Sequence, residues 1–168
     1  MRLNRRALLK ASLAGGISVG LTGCSLLPGK ASGHSDSYVG AIGLPDGRFG
    51  VSAFDRSGSI LWQTPVKTRC HSGCNRPGMD ETVFFERRPG WSFYVFCTNS
   101  GIQKHRVDAK AGEHFVGHGV FSTNGRWLYV TASRYEQGEG IIAVYDAEQD
   151  YQRTDTFDLN GIGPHELT

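Results

Sequence analysis

The distribution of apolar and polar positions changes texture at Tyr38. From there the chain alternates short runs rich in Val, Ile, Phe, Tyr and Trp ("FGVSAF", "ILWQTPV", "ETVFFE", "SFYVFC", "RWLYVTA", "IIAVYD") with "LPDGRF", "DRSGS", "RRPGW", "TNSG" and "STNGRW". Runs of that length and composition read as β-strands. The Asp-Gly, Asn-Gly, Ser-Gly and Pro-Gly steps between them supply the positive or preset φ that hairpin turns need. No stretch after the N-terminal segment keeps a helical period. The pattern predicts an all-β domain over 38–168.

The strands also repeat. His118 stands 47 residues after His71 and 47 before His165. Val83 and Val130 each follow their histidine by 12 residues, and Asn99 and Asp146 by 28, so phase is held across two strands. "VSAFDRSG", with Asp55 closing the run, reads as a third copy of an apolar-run-then-Asx element. A period near 47 is slightly above the usual length of a four-stranded propeller blade, about 40 to 45 residues. The expectation is a β-propeller-like domain with about three four-stranded blades, over 38–68, 75–107 and 120–159. Propellers close with about four to eight blades. The reading is therefore the N-terminal half of a longer protein, or a chain that pairs with a second one; without the rest, a non-functional fragment is a third expectation.

The N-terminal stretch carries different information. Asn4-Arg5-Arg6-Ala7-Leu8-Leu9-Lys10 is similar to a twin-arginine export motif, with Arg5 and Arg6 as its pair. The weakly apolar Ala11-to-Gly23 segment is shorter than the roughly 20 residues a membrane-spanning helix needs. Leu21-Thr22-Gly23-Cys24 resembles a lipobox, in which the Cys24 thiol receives a lipid. The expected organisation is a signal peptide over 1–23, a tether over 24–37 and the propeller domain after it. Export would use the twin-arginine translocase and leave the protein in the periplasm, tied to a membrane by its lipid; Ser25 after the cysteine favours the outer membrane. Loss of Arg2, Arg5, Arg6 and Lys10 with the leader turns a net charge of +2 into −2. No basic patch is left to suggest nucleic-acid binding; "ERRPG" at 86–90 reads as a turn.

An oxidising compartment makes the remaining thiols matter. Cys70, Cys74 and Cys97 are an odd set, so at most one disulfide forms within a monomer, either local (Cys70 with Cys74) or through Cys97. Cys70-His71-Ser72-Gly73-Cys74 has the wrong spacing for the C-x-x-C-H of covalent haem attachment.

Together these features resemble one family. "GHGVFS", "GEGIIAVYD" and "GIGPHEL", with "FERRPGWSF" upstream and the twin-arginine leader, are similar to the exported bacterial proteins of domain-of-unknown-function family 1513. The resemblance implies a seven-bladed propeller of about twice this length. It also implies a place beside imelysin-like and di-haem peroxidase-like proteins in gene clusters for iron acquisition, and so periplasmic iron-uptake proteins as partners. "RCHSGC" departs from the simpler turn expected there.

Candidate chemistry rests on the histidines. If His71, His118 and His165 each start an innermost strand, they line one mouth of the channel, where neutral imidazoles suit iron, copper or zinc; haem is a second cofactor reading. The competing reading is structural, with each histidine tying a loop to the next blade, and three adjacent blades would spread the imidazoles along an arc. Glu166 follows His165 and could orient an imidazole or serve as a base. His114 and His118 have the i, i+4 spacing of helical zinc pairs, but Gly112, Gly117 and Gly119 oppose a helix. Trp62, Trp91 and Trp127 are expected to pack between blades. No P-loop or H-E-x-x-H is present, and no G-x-S-x-G occurs after the N-terminal segment. The favoured function is a non-enzymatic binding or scaffold module of iron acquisition; the alternative is a metal-dependent oxidoreductase or lactonase-like hydrolase.

Overall fold

The computed structural model describes residues 37–168. Those residues form eleven strands: β1 (Tyr38–Gly43), β2 (Phe49–Phe54), β3 (Ile60–Val66), β4 (Cys70–Asn75), β5 (Thr82–Glu86), β6 (Ser92–Phe96), β7 (Gln103–Asp108), β8 (Glu113–Phe121), β9 (Trp127–Arg134), β10 (Glu139–Asp146) and β11 (Gln152–Ile162). They pair in chain order into three antiparallel sheets, β1-β2-β3, β4-β5-β6-β7 and β8-β9-β10-β11. The first strands of the sheets, β1, β4 and β8, adjoin one another in that order. The fold is all-β and propeller-like, each sheet a blade with its first strand innermost.

Two details differ from the blade limits drawn on the sequence. The first blade has three strands among the described residues, not four. The second and third begin at Cys70 and Glu113, earlier than residues 75 and 120, because "CHSGCN" and "EHFVGHGVF" are themselves the innermost strands. Their glycines are what made them look like loops. At Gly73 a Cβ would lie 2.7 Å from the Val83 carbonyl oxygen and 2.9 Å from the Phe84 ring, so only glycine lets β4 pass this close.

Strand periodicity explains the core. In β5, Val83 and Phe85 face the third blade, where they join Phe93, Phe115, Leu128, Val130 and Tyr145, while Phe84 faces the first blade with Val51, Val66, Tyr94 and Phe96. Alternate residues point to opposite faces of a sheet. A strand buried on both faces therefore reads as the continuous apolar run "TVFFE". Polar ties span the same seams. Trp62 Nε1 donates to the Thr98 carbonyl at 2.8 Å, and Thr64 Oγ1 to the Gly101 carbonyl at 2.6 Å. Arg76 Nε donates to the Gly125 carbonyl at 2.7 Å.

Trp62 packs between blades as expected, against Phe96 at 6.3 Å between ring centroids. Trp91, in the second blade, also meets the third, its half-exposed ring beside His114 and Tyr135. Trp127 lies under the Arg126 guanidinium, 4.6 Å from its ring centroid.

The turns follow the sequence in part. Asp55 Oδ1 accepts from the backbone N–H groups of Ser57 and Ser59, and Asp146 Oδ1 from that of Glu148, as Asx turns do. At Asn99 it is the backbone N–H that donates, to Asp80 Oδ1. "ERRPG" is a turn, with the buried Glu86 carboxylate accepting from the N–H groups of Trp91 and Ser92 and from the Tyr94 hydroxyl.

The cysteine reading needs correction. Cys70, Cys74 and Cys97 are all free thiols. Cys70 and Cys74 are four residues apart on one extended strand, about 13 Å, whereas a disulfide needs Cα atoms within about 7 Å. Cys70 packs toward the first blade and Cys74 toward the third. The Cys97 thiol instead donates to Asp80 Oδ2 at 3.0 Å.

Candidate functional site

His71 and His118 both lie where an innermost strand bulges. On β4, Cys70 pairs with Glu86 and Ser72 with Phe85, so His71 is an extra residue with no opposite number on β5. On β8, Phe115 pairs with Ala132 and Gly119 with Val130, so Val116, Gly117 and His118 stand opposite Thr131 alone. Bulges bend the strand and redirect side chains. Here they turn the two imidazoles toward each other across the seam between blades, edge to face with ring centroids 4.9 Å apart.

The glycines around His118 make that approach possible. A Cβ on Gly117, where φ is +108°, would sit 3.1 Å from His71 Cδ2. A Cβ on Gly119 would sit 2.5 Å from the Phe85 ring. The bulge is pinned on both sides by backbone acceptance: Ser72 Oγ donates to the Gly117 carbonyl at 2.6 Å, and Thr131 Oγ1 to the His118 carbonyl at 3.0 Å.

His165 arrives by another route. It lies beyond β11, in residues 163–168, outside any strand. Pro164 fills the space a side chain on Gly140 would occupy, at 2.6 Å from that Cβ position, and fixes the segment against β10. The His165 ring then lies 4.7 Å from that of His118. One ligand atom from each of His71, His118 and His165 lies within 4.8 Å of the other two. The arc expected from three successive blades does not separate them.

Hydrogen bonding does not account for the cluster. His118 Nε2 is buried with no hydrogen-bond partner, and no imidazole of the three bonds to another described residue. The Gly117 carbonyl beside His118 is tied across the seam by Ser72; the three rings are not. Burial, and then the neighbouring His71 and His165, hold His118 below the ordinary imidazole pKa, with the Glu166 charge opposing them. Such a group is neutral at pH 7, the form that ligates metal. Glu166 is exposed and acts on His118 through its charge alone.

His114 is not part of this group. It sits four residues earlier on the same strand, at the edge of Trp91, 6.3 Å between ring centroids. Arg5, Arg6 and Cys24 lie outside the described residues. Sequence reasoning missed Ser72 and Thr131, whose role depends on the bulge and leaves no motif.

A model of the family described as "Protein of unknown function (DUF1513)" matches residues 64–168. The chain belongs to this family. No curated protein matches the DUF1513 chain. Among solved structures it is similar to dihydro-heme d1 dehydrogenase NirN in complex with DHE, at 17% identity and a TM-score of 0.53 over 68% of this chain and 26% of that one. A protein of unknown function from Bacteroides caccae is similar at 14% identity and a TM-score of 0.52, over 73% of this chain and 40% of the other. The Synechocystis apocarotenoid oxygenase is similar at 12% identity and 0.51, over 73% and 29%. At these identities the likeness is one of fold, and it agrees with a partial propeller. The DUF1513 chain spans between 26% and 40% of the length of these relatives.

Proposed function

We propose that this DUF1513 chain is the propeller part of a lipid-anchored periplasmic protein that binds one transition-metal ion through His71, His118 and His165. The observation that carries the reading is the convergence of three imidazoles to within 4.8 Å around a buried, unpartnered His118 Nε2. Zinc–nitrogen bonds of about 2.0–2.1 Å put tetrahedral ligand atoms roughly 3.3 Å apart. Small rotations of His71 and His165, both exposed, close that gap around the fixed central imidazole. Imidazole donors suit zinc, copper and iron. A metal-binding module agrees with the iron-acquisition setting that the family resemblance implies. The Arg5-Arg6 pair and Cys24 support export and lipidation.

Titration of the purified chain with Co²⁺, read by visible absorption, and with Zn²⁺, read by calorimetry, tests the metal. One ion per chain is expected, lost in His118→Ala and retained in His105→Ala, whose imidazole lies apart beside Tyr151. Absence of saturable binding, or binding untouched by His118→Ala, would sink the reading. For localisation, Arg5→Lys with Arg6→Lys is expected to hold the protein in the cytoplasm, and Cys24→Ala to release it from the membrane fraction.

Three protein donors leave a coordination position open, as catalytic zinc sites do. A metal-dependent enzyme is therefore the second reading. Lactone or ester hydrolysis by the zinc-loaded chain, abolished by His118→Ala, would favour it over a binding module.

A further inference from the structure

A second group of polar side chains without partners among the described residues lies next to the histidine cluster and has a cavity in front of it. The cavity, about 400 Å³, is bounded by Arg88, His114, Ser133, Tyr135, Ile162 and Gly163. That volume is in the range of small-molecule pockets, about 300–1,000 Å³.

Its floor is polar. His114 and Ser133 are 8% and 2% exposed, yet neither the imidazole nor the hydroxyl hydrogen-bonds to a described residue. Buried polar side chains normally find partners, so two such groups opening on one cavity have their bonding capacity directed into it. Arg88 makes no ion pair with a described acid, although most arginines near the surface here do. Burial, and then the Arg88 charge, hold His114 below the ordinary imidazole pKa. At neutral pH it supplies one donor and one acceptor, not a second cation.

The walls are apolar and aromatic. Tyr135 is half exposed, as is Trp91, which lies edge-on behind it at 6.3 Å between ring centroids. Ile162 at the lip is 84% exposed. One unpaired guanidinium, a hydroxyl and a neutral imidazole beside an aromatic wall fit a molecule with one anionic end and one flat apolar end.

We propose that this cavity binds an organic carboxylate with an aromatic body, its carboxylate held by Arg88 and Ser133 and its ring against Tyr135 and Ile162. Arginine matches a carboxylate with two parallel N–H donors, and an aromatic face accepts a ring in offset or edge contact. The site does not depend on the metal reading, since none of His71, His118 and His165 bounds the cavity.

Calorimetry on the full chain with 2-naphthoate tests it, with 2-naphthamide as the uncharged counterpart and inorganic phosphate as the anion without a ring. Saturable naphthoate binding is expected, weakened at least about tenfold by Arg88→Gln, since a hydrogen bond to a charged group contributes about 1.5–3 kcal/mol. Tyr135→Ala is expected to weaken naphthoate as well. Both positions are exposed, so the variants keep the fold. His118→Ala is expected to leave naphthoate binding unchanged while removing Co²⁺, which separates this site from the histidine cluster. The proposal is overturned if naphthoate does not bind saturably, if naphthamide or phosphate binds as tightly, or if Arg88→Gln leaves the affinity intact.

Discussion

Gly117 of one blade packs directly on His71 of its neighbour, with His71 Cδ2 3.1 Å from where a Cβ would be and the Glu86 carbonyl oxygen 3.4 Å from it. The glycine sets how close the two bulged strands can come, and so the distance between His71 and His118. Gly117→Ala is expected to cost about 1–3 kcal/mol, because alanine must hold a φ near +108°. It should also drive His71 away from His118. Urea denaturation measures the first effect and Co²⁺ titration the second; unaltered Co²⁺ affinity would show that this contact does not position the cluster.

A related argument applies to His165. A Cβ on Gly140 would sit 2.6 Å from Pro164 Cδ and 3.1 Å from the Gly161 carbonyl oxygen. Gly140→Ala must therefore displace residues 163–168 from β10 and carry His165 out of reach of His118. The expected outcome is a folded protein whose Co²⁺ affinity falls toward that of His165→Ala. Affinity equal to the parent chain would mean that the segment is held some other way.

Much of the fold was legible because strands buried on one or both faces leave their pattern in the residues. "TVFFE" and "IIAVYD" are strands, and Val83 and Val130 occupy the second strand of successive blades. The spacing of 47 did pick out three histidines that the fold brings together. The reason they meet was not legible, because His71 and His118 owe their direction to bulges that show only against the partner strand. Gly73 and Gly119 are required by tertiary closeness, and Gly117 by closeness and by its φ of +108°, neither of which shows in the sequence. Arg88, His114 and Ser133 carry no motif at all; the chain brings them together from different strands and turns, and no local signal could have found them.

The thiols give a prediction that reverses the disulfide expectation. Burial pushes Cys74 up to about 12, and burial together with the Glu86 charge does the same to Cys70. A thiol is reactive as the thiolate, so both should resist alkylation in the native state. Cys97 is partly exposed and should be modified first. Iodoacetamide at pH 8 followed by peptide mapping is expected to label Cys97 well before Cys70 or Cys74, and reductant should leave the thermal midpoint unchanged. A Cys70–Cys74 cross-linked peptide from oxidised protein would contradict the strand geometry.

Acid sensitivity should centre on Glu81. This carboxylate is 7% exposed. It takes Arg76 at 2.9 Å and the Tyr151 hydroxyl at 2.8 Å on Oε2, and Lys104 at 3.0 Å on Oε1. Arg76 also donates to the carbonyls of Gly125 and Ala147, so the pair joins the second blade to the third. Burial pushes the Glu81 carboxyl up, but the hydrogen bonds from Arg76, Tyr151 and Lys104 together outweigh it and hold the group below its ordinary value. A carboxyl depressed in the folded state stabilises the fold fully above its unfolded pKa, about 4.3. That contribution is lost as pH falls from there through the folded value, because protonation favours the unfolded chain. Glu81→Gln leaves Arg76 buried without its counter-charge and is expected to cost about 3–5 kcal/mol at pH 7. The gap between parent and variant should hold at pH 5 and shrink below about pH 4. Urea denaturation of both proteins from pH 7 to pH 3.5 reads it directly; a gap that does not change with pH would mean that the Glu81 charge is not what holds the two blades together.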